Sequence, residues 1–342
     1  MIVPPDPFAD LPAPHANCRA TVVIPARDEA TLIGRALDAL GAQRDANGSL
    51  LAADSFDVLV YANNCTDDTA AAVRAAARRY PGHAIYVAEE SLPPNVAHIG
   101  TARRAAMNAA SARFAAAGIC DAVLAATDAD SVPSPTWLAW TLREMEQAEV
   151  VTGRIVVDPN EWRQLPASTR EMLSEEDAYH FAIARLKTQF DPKPHDPWPH
   201  HWQRSGPSLA IHLSAYDAVG GVPPVRSLED IALYDALERG GARIRHSLRV
   251  RVRTSARLHS RAAGGFGTRI KAWQQPGDIR RPLLVEDPEI TLARLRGEDV
   301  GPPSEHAACV TAAEAIAALR QVIARGVIDE RATRSNVASI AG

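Results

Sequence analysis

Residues 121–135 read DAVLAATDADSVPSP and set the pattern for the first half of the chain. Its first seven residues form an apolar run of strand length, and the chain turns polar immediately afterwards, with Asp128 and Asp130 set one residue apart. Ser134 followed by Pro135 is a favoured opening for a helix, because the hydroxyl caps an orphan N–H and proline has none to satisfy. The stretch therefore reads strand, acidic tip, helix. The same grammar recurs three times upstream. TVVIP at 21–25 ends at Pro25 and precedes Leu32, Ile33, Ala36, Leu37 and Leu40 at helical spacing. FDVLVY at 56–61 leads through a polar loop, 62–66, into an Ala-rich helix that Thr66 or Asp67 can cap. HAIYVA at 83–88 leads past Pro93 and Pro94 into a helix from about Gly100 to Ala117, with Gly118 at its C′ position. Four strand–helix units of this length predict an α/β domain whose parallel sheet is covered on both faces.

Downstream of Val157 the alternation stops. EMLSEEDAYHFAIARLKTQF reads as helix, and DPKPHDPWPHHWQRSGP as a long proline-rich loop of the kind that usually serves a function. SLAIHL, SAYDAVGG and EDIALYDALERGG follow as short strand and helix segments, then ARIRH and RVRVRT as two strands. Helical patterning returns from about 284 and is best in 308–324. The expected organisation is an extended arm at 1–18, a catalytic domain at 19–275 split into a donor half (19–157) and an acceptor half (158–275), a helical extension at 276–330 and a flexible tail at 331–342.

Composition narrows the function. The 342 residues are 46% hydrophobic and 23% charged, which excludes disorder throughout. With 37 Lys+Arg against 41 Asp+Glu the formal charge is −4, so no global basic field exists to gather nucleic acid or anionic lipid. Cys18, Cys65, Cys120 and Cys309 form no CxxC pair, which argues against a disulfide framework or zinc ribbon and fits a reducing cytoplasm. No basic n-region, apolar h-region or membrane-length apolar run is present, so the expectation is a cytoplasmic protein without an integral membrane segment.

In an open parallel sheet the ligand lies beyond the carboxyl ends of the strands, here the loops 25–29, 62–68, 89–100 and 128–130. Neither GxGxxG nor GxxxxGK[ST] is present, so the phosphates of a nucleotide must be held without a glycine cradle. Asp128-x-Asp130 at a strand tip offers hard oxygen ligands to Mg2+ or Mn2+ against a diphosphate; the alternative is that the pair merely caps the next helix. Glu229-Asp230 opens a helix after GVPPVRSL, where acidic residues suit the helix dipole and where a carboxylate could equally act as general base.

Taken in order, VVIPARDEA, NNCTDDT, the Gly100-x-x-Arg103-Arg104 helix start, ATDADS, VVTGRI, GPSLAI, AVGG and LEDIAL resemble the nucleotide-sugar-dependent family 2 glycosyltransferases over residues 20 to about 270. The resemblance implies the glycosyltransferase A fold, a Rossmann-like, mostly parallel sheet with helices on both faces, here with a helical C-terminal extension. It implies a metal-dependent transfer from a nucleotide-diphospho-sugar donor to a hydroxyl-bearing acceptor, inverting and non-processive, with Mn2+ or Mg2+ as cofactor. Pro25, Ala26, Arg27 and Glu29 would line the base and ribose, with Asn63 beside them. Asp128, Ala129 and Asp130 match the DxD element, in which the second acid usually binds the metal and the first binds the ribose or a metal-bound water. Asp230, with Glu229, matches the ED element and would be the base. His259 lies where some enzymes of this fold place a third metal ligand.

Three departures from the family pattern bear on detail. The acidic pair of the second loop is replaced by Ala62-Asn63-Asn64-Cys65, so a carboxylate reading a uracil N–H is missing. Ile99-Gly100 stands in place of Lys-Gly, leaving Arg103 or Arg104 as the expected phosphate partner. The QxxRW element of processive members is absent. Arg257 and Arg261 either grip the diphosphate or face solvent.

The loop with Trp198, His201 and Trp202 offers aromatic faces and donors to an acceptor, as does Ser208 near Gly206. A zinc set of His195, Asp196, His200 and His201 is an alternative, and so is simple anchoring of the loop by its tryptophans. Two other functions stay open at this level, a non-catalytic nucleotide-sugar or glycan-binding module and an aspartate-nucleophile phosphohydrolase, although the latter carries its DxD on the first strand. A nucleotidyltransferase would place a Gly-rich loop after the first strand, and PARDEA has no glycine.

Overall fold

The computed structural model describes residues 6–258, 265–274, 282–300 and 309–325. The first half of the chain alternates strand and helix. Its elements are β1 (Ala20–Ala26), α1 (Ile33–Gly41), β2 (Phe56–Asn63), α2 (Thr69–Arg79), β3 (Ala84–Glu90), α3 (Ile99–Ala116), β4 (Val123–Ala126), β5 (Ser131–Pro133) and α4 (Trp137–Glu144). The second half continues with β6 (Val150–Val157), α5 (Pro159–Gln164), α6 (Ala167–Phe190), β7 (Leu209–His212), α7 (Leu213–Ala218), α8 (Glu229–Arg239) and β8 (Ile244–Thr254). After these come α9 (Phe266–Trp273), β9 (Leu284–Glu286), α10 (Pro288–Leu295), β10 (Cys309–Thr311) and α11 (Ala312–Arg325).

The apolar runs become strands because both sheet faces are covered. Val22 and Ile24 enter a buried cluster with Leu37, Val73 and Leu138, whereas Val23 enters a second with Met107, Phe114 and Leu233. A strand buried on both faces has no polar side to alternate, which is why β1 reads as one continuous apolar run. Eight strands pair in the order β3-β2-β1-β4-β7-β6-β8-β5. β1 lies parallel to both β2 and β4, β2 is parallel to β3, and β6 to β8, while β7 and β5 run against their neighbours. This is the mostly parallel α/β sheet with helices on both faces that the sequence predicts.

The structure corrects the sequence reading at three points. Ser131–Pro133 is a short strand against Thr254–Val252 rather than loop, and the following helix begins at Trp137, after a turn closed by the Ser134 carbonyl at 3.0 Å. ARIRH and RVRVRT are one strand, because β6 pairs with both of its ends and a bulge at Gly153/Arg154 absorbs the residues between them. Asp67 does support α2, its Oδ1 accepting from the Thr69 N–H at 3.0 Å, but the helix starts one residue later than a cap at Asp67 implies and two later than one at Thr66.

The chain divides into two compact units, one of Met1–Arg163 with Gln203–Lys271 and one of Gln164–Trp202 with Ala272–Gly342. The first contains the whole eight-stranded sheet. In the second, Tyr179 and Leu186 of α6 pack with Leu292 of α10 and with Ala315, Leu319 and Ile323 of α11, beside the antiparallel β9–β10 pair. Among the described residues no helix is long and apolar enough to cross a membrane.

Candidate functional site

The parallel register of β1, β2 and β4 delivers their carboxyl ends to one edge of the sheet, and with them the loops that begin at Arg27, Asn64 and Thr127. Pro25 and Ala26 end β1 opposite Tyr61 and Ala62, and Asn63 closes β2. Asn63 is buried and, among the described residues, its Oδ1 has no hydrogen-bond partner. The first two loops are laced together. The Glu29 N–H donates to Thr69 Oγ1 at 2.8 Å, the Ala30 N–H donates to Asp67 Oδ2 at 3.0 Å, and Asp28 Oδ1 accepts from the Thr66 N–H at 2.6 Å. Arg27 is exposed and donates from Nη1 to the Ala97 carbonyl at 3.3 Å.

Two guanidiniums organise the acidic residues of this edge. Arg103, from the first turns of α3, is 2% exposed; its Nε donates to Glu229 Oε1 and its Nη2 to Asp128 Oδ1, both at 2.9 Å. Burial opposes the charge of Arg103, but Asp128, Glu229 and Asp230 together outweigh it and push the pKa above the ordinary guanidinium value. Arg257, just after β8, donates from Nη1 and Nη2 to the two carboxylate oxygens of Glu29, the first at 2.6 Å, and its Nη2 also lies 3.1 Å from Asp130 Oδ2. Glu29, expected on sequence grounds to meet base and ribose, thus has both oxygens on Arg257. Arg103, expected at phosphate, is held between carboxylates. Ala129, between the two DxD acids, is buried.

Glu229 and Asp230 are the first residues of α8 and differ in surroundings. Glu229 is 3% exposed and paired with Arg103. Asp230 is half-buried and accepts from the Gly206 N–H at 2.7 Å and the Ile231 N–H at 2.9 Å. The residue before them, Leu228, has φ 57°, and the other non-glycine residues of positive φ among those described are Asp28 (φ 53°) and Asn64 (φ 51°). All three sit in loops at this edge, and a left-handed non-glycine residue costs on the order of 1–3 kcal/mol, a concentration of strain typical of functional sites.

The donor set suits a divalent cation. Among the described residues, Glu29, Asp128, Asp130, Glu229 and Asp230 gather around the guanidiniums of Arg103 and Arg257. Burial, and then the neighbouring charge of Asp128, push the Asp130 carboxyl up to about 7 despite Arg257. A carboxylate so disfavoured by its surroundings is stabilised by an added positive charge, and hard oxygen donors match Mn2+ or Mg2+. His259 and Arg261 lie outside the described residues.

Of the residues expected at the acceptor, Ser208 is buried in the first unit, where its Oγ accepts from the Trp137 indole at 2.9 Å. Trp198, His201 and Trp202 belong to the second unit. There Trp198 is 39% exposed with the Arg185 guanidinium 5.9 Å from its ring centre, and His201 is fully buried. Trp202 stacks on His180 at 4.1 Å and donates to Asp177 Oδ1 at 3.1 Å. Arg257 was legible only as a flanking charge, since nothing in the spacing signals a partner 228 residues away.

The family model described as "Glycosyl transferase family 2" matches residues 21–205. No curated protein sequence matches. Among solved structures, similar chains include a mannosyltransferase from Pyrobaculum calidifontis in complex with GDP-Man and Mn2+, at 20% identity and TM-score 0.46, covering 74% of this chain and 62% of that one. S. aureus TarS in complex with UDP-GlcNAc is 15% identical with TM-score 0.47, covering 73% of this chain and 60% of that one. Glucosyl-3-phosphoglycerate synthase of M. tuberculosis is 16% identical with TM-score 0.38, covering 84% and 82%. The match thus spans less than two thirds of the length of the first two.

Proposed function

The chain belongs to glycosyl transferase family 2, and on that premise we propose that it moves a sugar from a nucleotide-diphospho-sugar donor to a hydroxyl-bearing acceptor, with inversion and one transfer per encounter. The observation that carries the reading is the unequal pair at the start of α8. Glu229 is spent on Arg103, whereas Asp230 keeps a half-buried carboxylate held in place by two backbone N–H groups. A binding module needs no such group. A fixed carboxylate suits the removal of a proton from an acceptor hydroxyl as that oxygen attacks the anomeric carbon, and orientation by the two N–H donors keeps it in reach.

On the donor side, Pro25, Ala26 and the orphaned Oδ1 of Asn63 are proposed to face the base, with exposed Arg27 beside them. Asp128 and Asp130 are proposed to hold Mn2+ or Mg2+, with His259 as a further ligand. The cation, when bound, would neutralise charge on the departing diphosphate. Arg257, pinned by Glu29, stands beside Asp130 and adds positive charge to the same place. The spacing of the cysteines supports a cytoplasmic setting.

The test is a thermal-shift and calorimetric screen of UDP- and GDP-sugars with and without Mn2+, followed by nucleoside diphosphate release on donor hydrolysis, with water taking the sugar in place of the acceptor, in the wild type and in Asp230→Asn. Stabilisation should require both a donor and the cation, since a ligand of the native state raises stability by RT ln(1 + [L]/Kd). Asp230→Asn should bind donor as the wild type does and lose roughly 100- to 10,000-fold in turnover, the range of a general base. Full turnover in that variant would remove Asp230 from its role.

A further inference from the structure

We infer that Arg103 is a positioning residue that ties the donor carboxylate Asp128 to the base-bearing start of α8, and is not a ligand of the diphosphate. The inference rests on the glycosyltransferase reading above and assigns a role that the sequence order does not suggest. The guanidinium contacts both sides of the site at once, through Nη2 on Asp128 and Nε on Glu229, residues 25 and 126 positions away in the chain. It is fully enclosed, and its third nitrogen, Nη1, has no partner among the described residues. A group meant to grip a substrate phosphate presents its fork to the opening; here two of the three nitrogens are committed inward.

The wall around it is equally specific. A Cβ on Gly206 would lie 2.7 Å from Nη2, 2.8 Å from Cζ and 3.1 Å from Nη1, so only glycine lets that chain segment close over the guanidinium plane. The same Gly206 donates its N–H to Asp230 Oδ2 at 2.7 Å. Arg103 therefore sets two things that aim the base: the start of α8 through Glu229, and the segment that orients the Asp230 carboxylate through Gly206. A lysine has the charge but not the planar fork, and its single ammonium cannot reproduce the Nε and Nη2 directions together.

The experiment compares wild type, Arg103→Lys and Arg103→Ala by thermal melting, by calorimetry of the nucleoside diphosphate with Mn2+, and by release of nucleoside diphosphate from the sugar nucleotide selected in the donor screen. For a positioning role, Arg103→Lys keeps diphosphate affinity within about threefold and loses roughly 100-fold in kcat, the scale expected when a reacting group is misplaced by about 1 Å. Guanidinium at concentrations well below denaturation should restore part of the turnover of Arg103→Ala, and urea should not. Should both variants unfold, Glu229→Gln breaks the same bridge from its other end with volume preserved and must show the same split. A loss confined to diphosphate affinity, with kcat intact, overturns the inference and returns Arg103 to the phosphate. A wild type that neither binds any nucleoside diphosphate or sugar nucleotide with Mn2+ nor hydrolyses one overturns the underlying reading, and this inference with it.

Discussion

Gly100→Ala sets two physical effects against each other. Gly100 lies in the first turn of α3, where alanine is the better helix former by up to about 1 kcal/mol, so propensity alone predicts a more stable protein. Sterics predict the reverse. An added Cβ would sit 2.3 Å from the backbone oxygen of Val225 and 3.3 Å from Cβ of Glu229. Ordinary Cβ contacts begin at 3.4 Å, so the segment carrying Val225 must retreat by 3.4 − 2.3, about 1.1 Å. The blocking atom belongs to the main chain and cannot rotate away. Overpacking of this kind costs about 1–3 kcal/mol, which outweighs the propensity gain and leaves a net loss of about 1–2 kcal/mol, or about 2–8 °C in Tm. Val225 is three residues from Leu228, whose left-handed backbone introduces Glu229 and Asp230, so the retreat is transmitted to the proposed base. A displacement near 1 Å should lower kcat by roughly 100-fold while diphosphate affinity stays within a few-fold. Calorimetric melting and nucleoside diphosphate release measure both effects. A variant more stable than wild type with undiminished kcat would refute the reasoning.

Further outcomes can be stated more briefly. Asp130, raised from 3.8 to about 7 first by burial and then by Asp128, favours folding below about pH 4, and that contribution is lost as pH rises through about 7. In cation-free buffer the urea midpoint of wild type should therefore fall across this window relative to Asp130→Asn, and parallel profiles would show that the site does not disfavour the carboxylate. Arg113→Met leaves Asp57 buried without its 2.6 Å partner and should cost about 3–5 kcal/mol in urea unfolding. Because Asp57 and Thr21 lie at the opposite ends of β1 and β2 from the acidic loops, diphosphate affinity in folded protein should not move, and a weakened affinity would mean that the two ends are coupled.

Much of the architecture is legible in local pattern. Apolar runs such as VVI at 22–24 and VLV at 58–60 are strands because both sheet faces are covered, and Gly118, with φ 70°, ends α3 where its sequence position predicts. The acids at 128, 130, 229 and 230 could be placed at a strand tip and a helix start without coordinates, since strand ends and helix caps are written in neighbouring residues. β5 could not be found this way. SVP has no apolar period of its own and becomes a strand only because Val252–Thr254 offers it backbone partners.

Local pattern was enough to place the four strand–helix units, the edge of the sheet at which polar loops collect, and the candidates for metal and base. How those candidates divide the work depends on contacts between distant segments. Arg103 reaches Glu229 and Arg257 reaches Glu29 across 126 and 228 residues, and these contacts leave Asp230 as the carboxylate outside both pairs. A local pattern can specify which groups reach a surface, because helix and strand periods act over a few residues. The ion pair a charged side chain joins is set by burial and by which distant backbone approaches it, and neither is encoded in spacing along the chain.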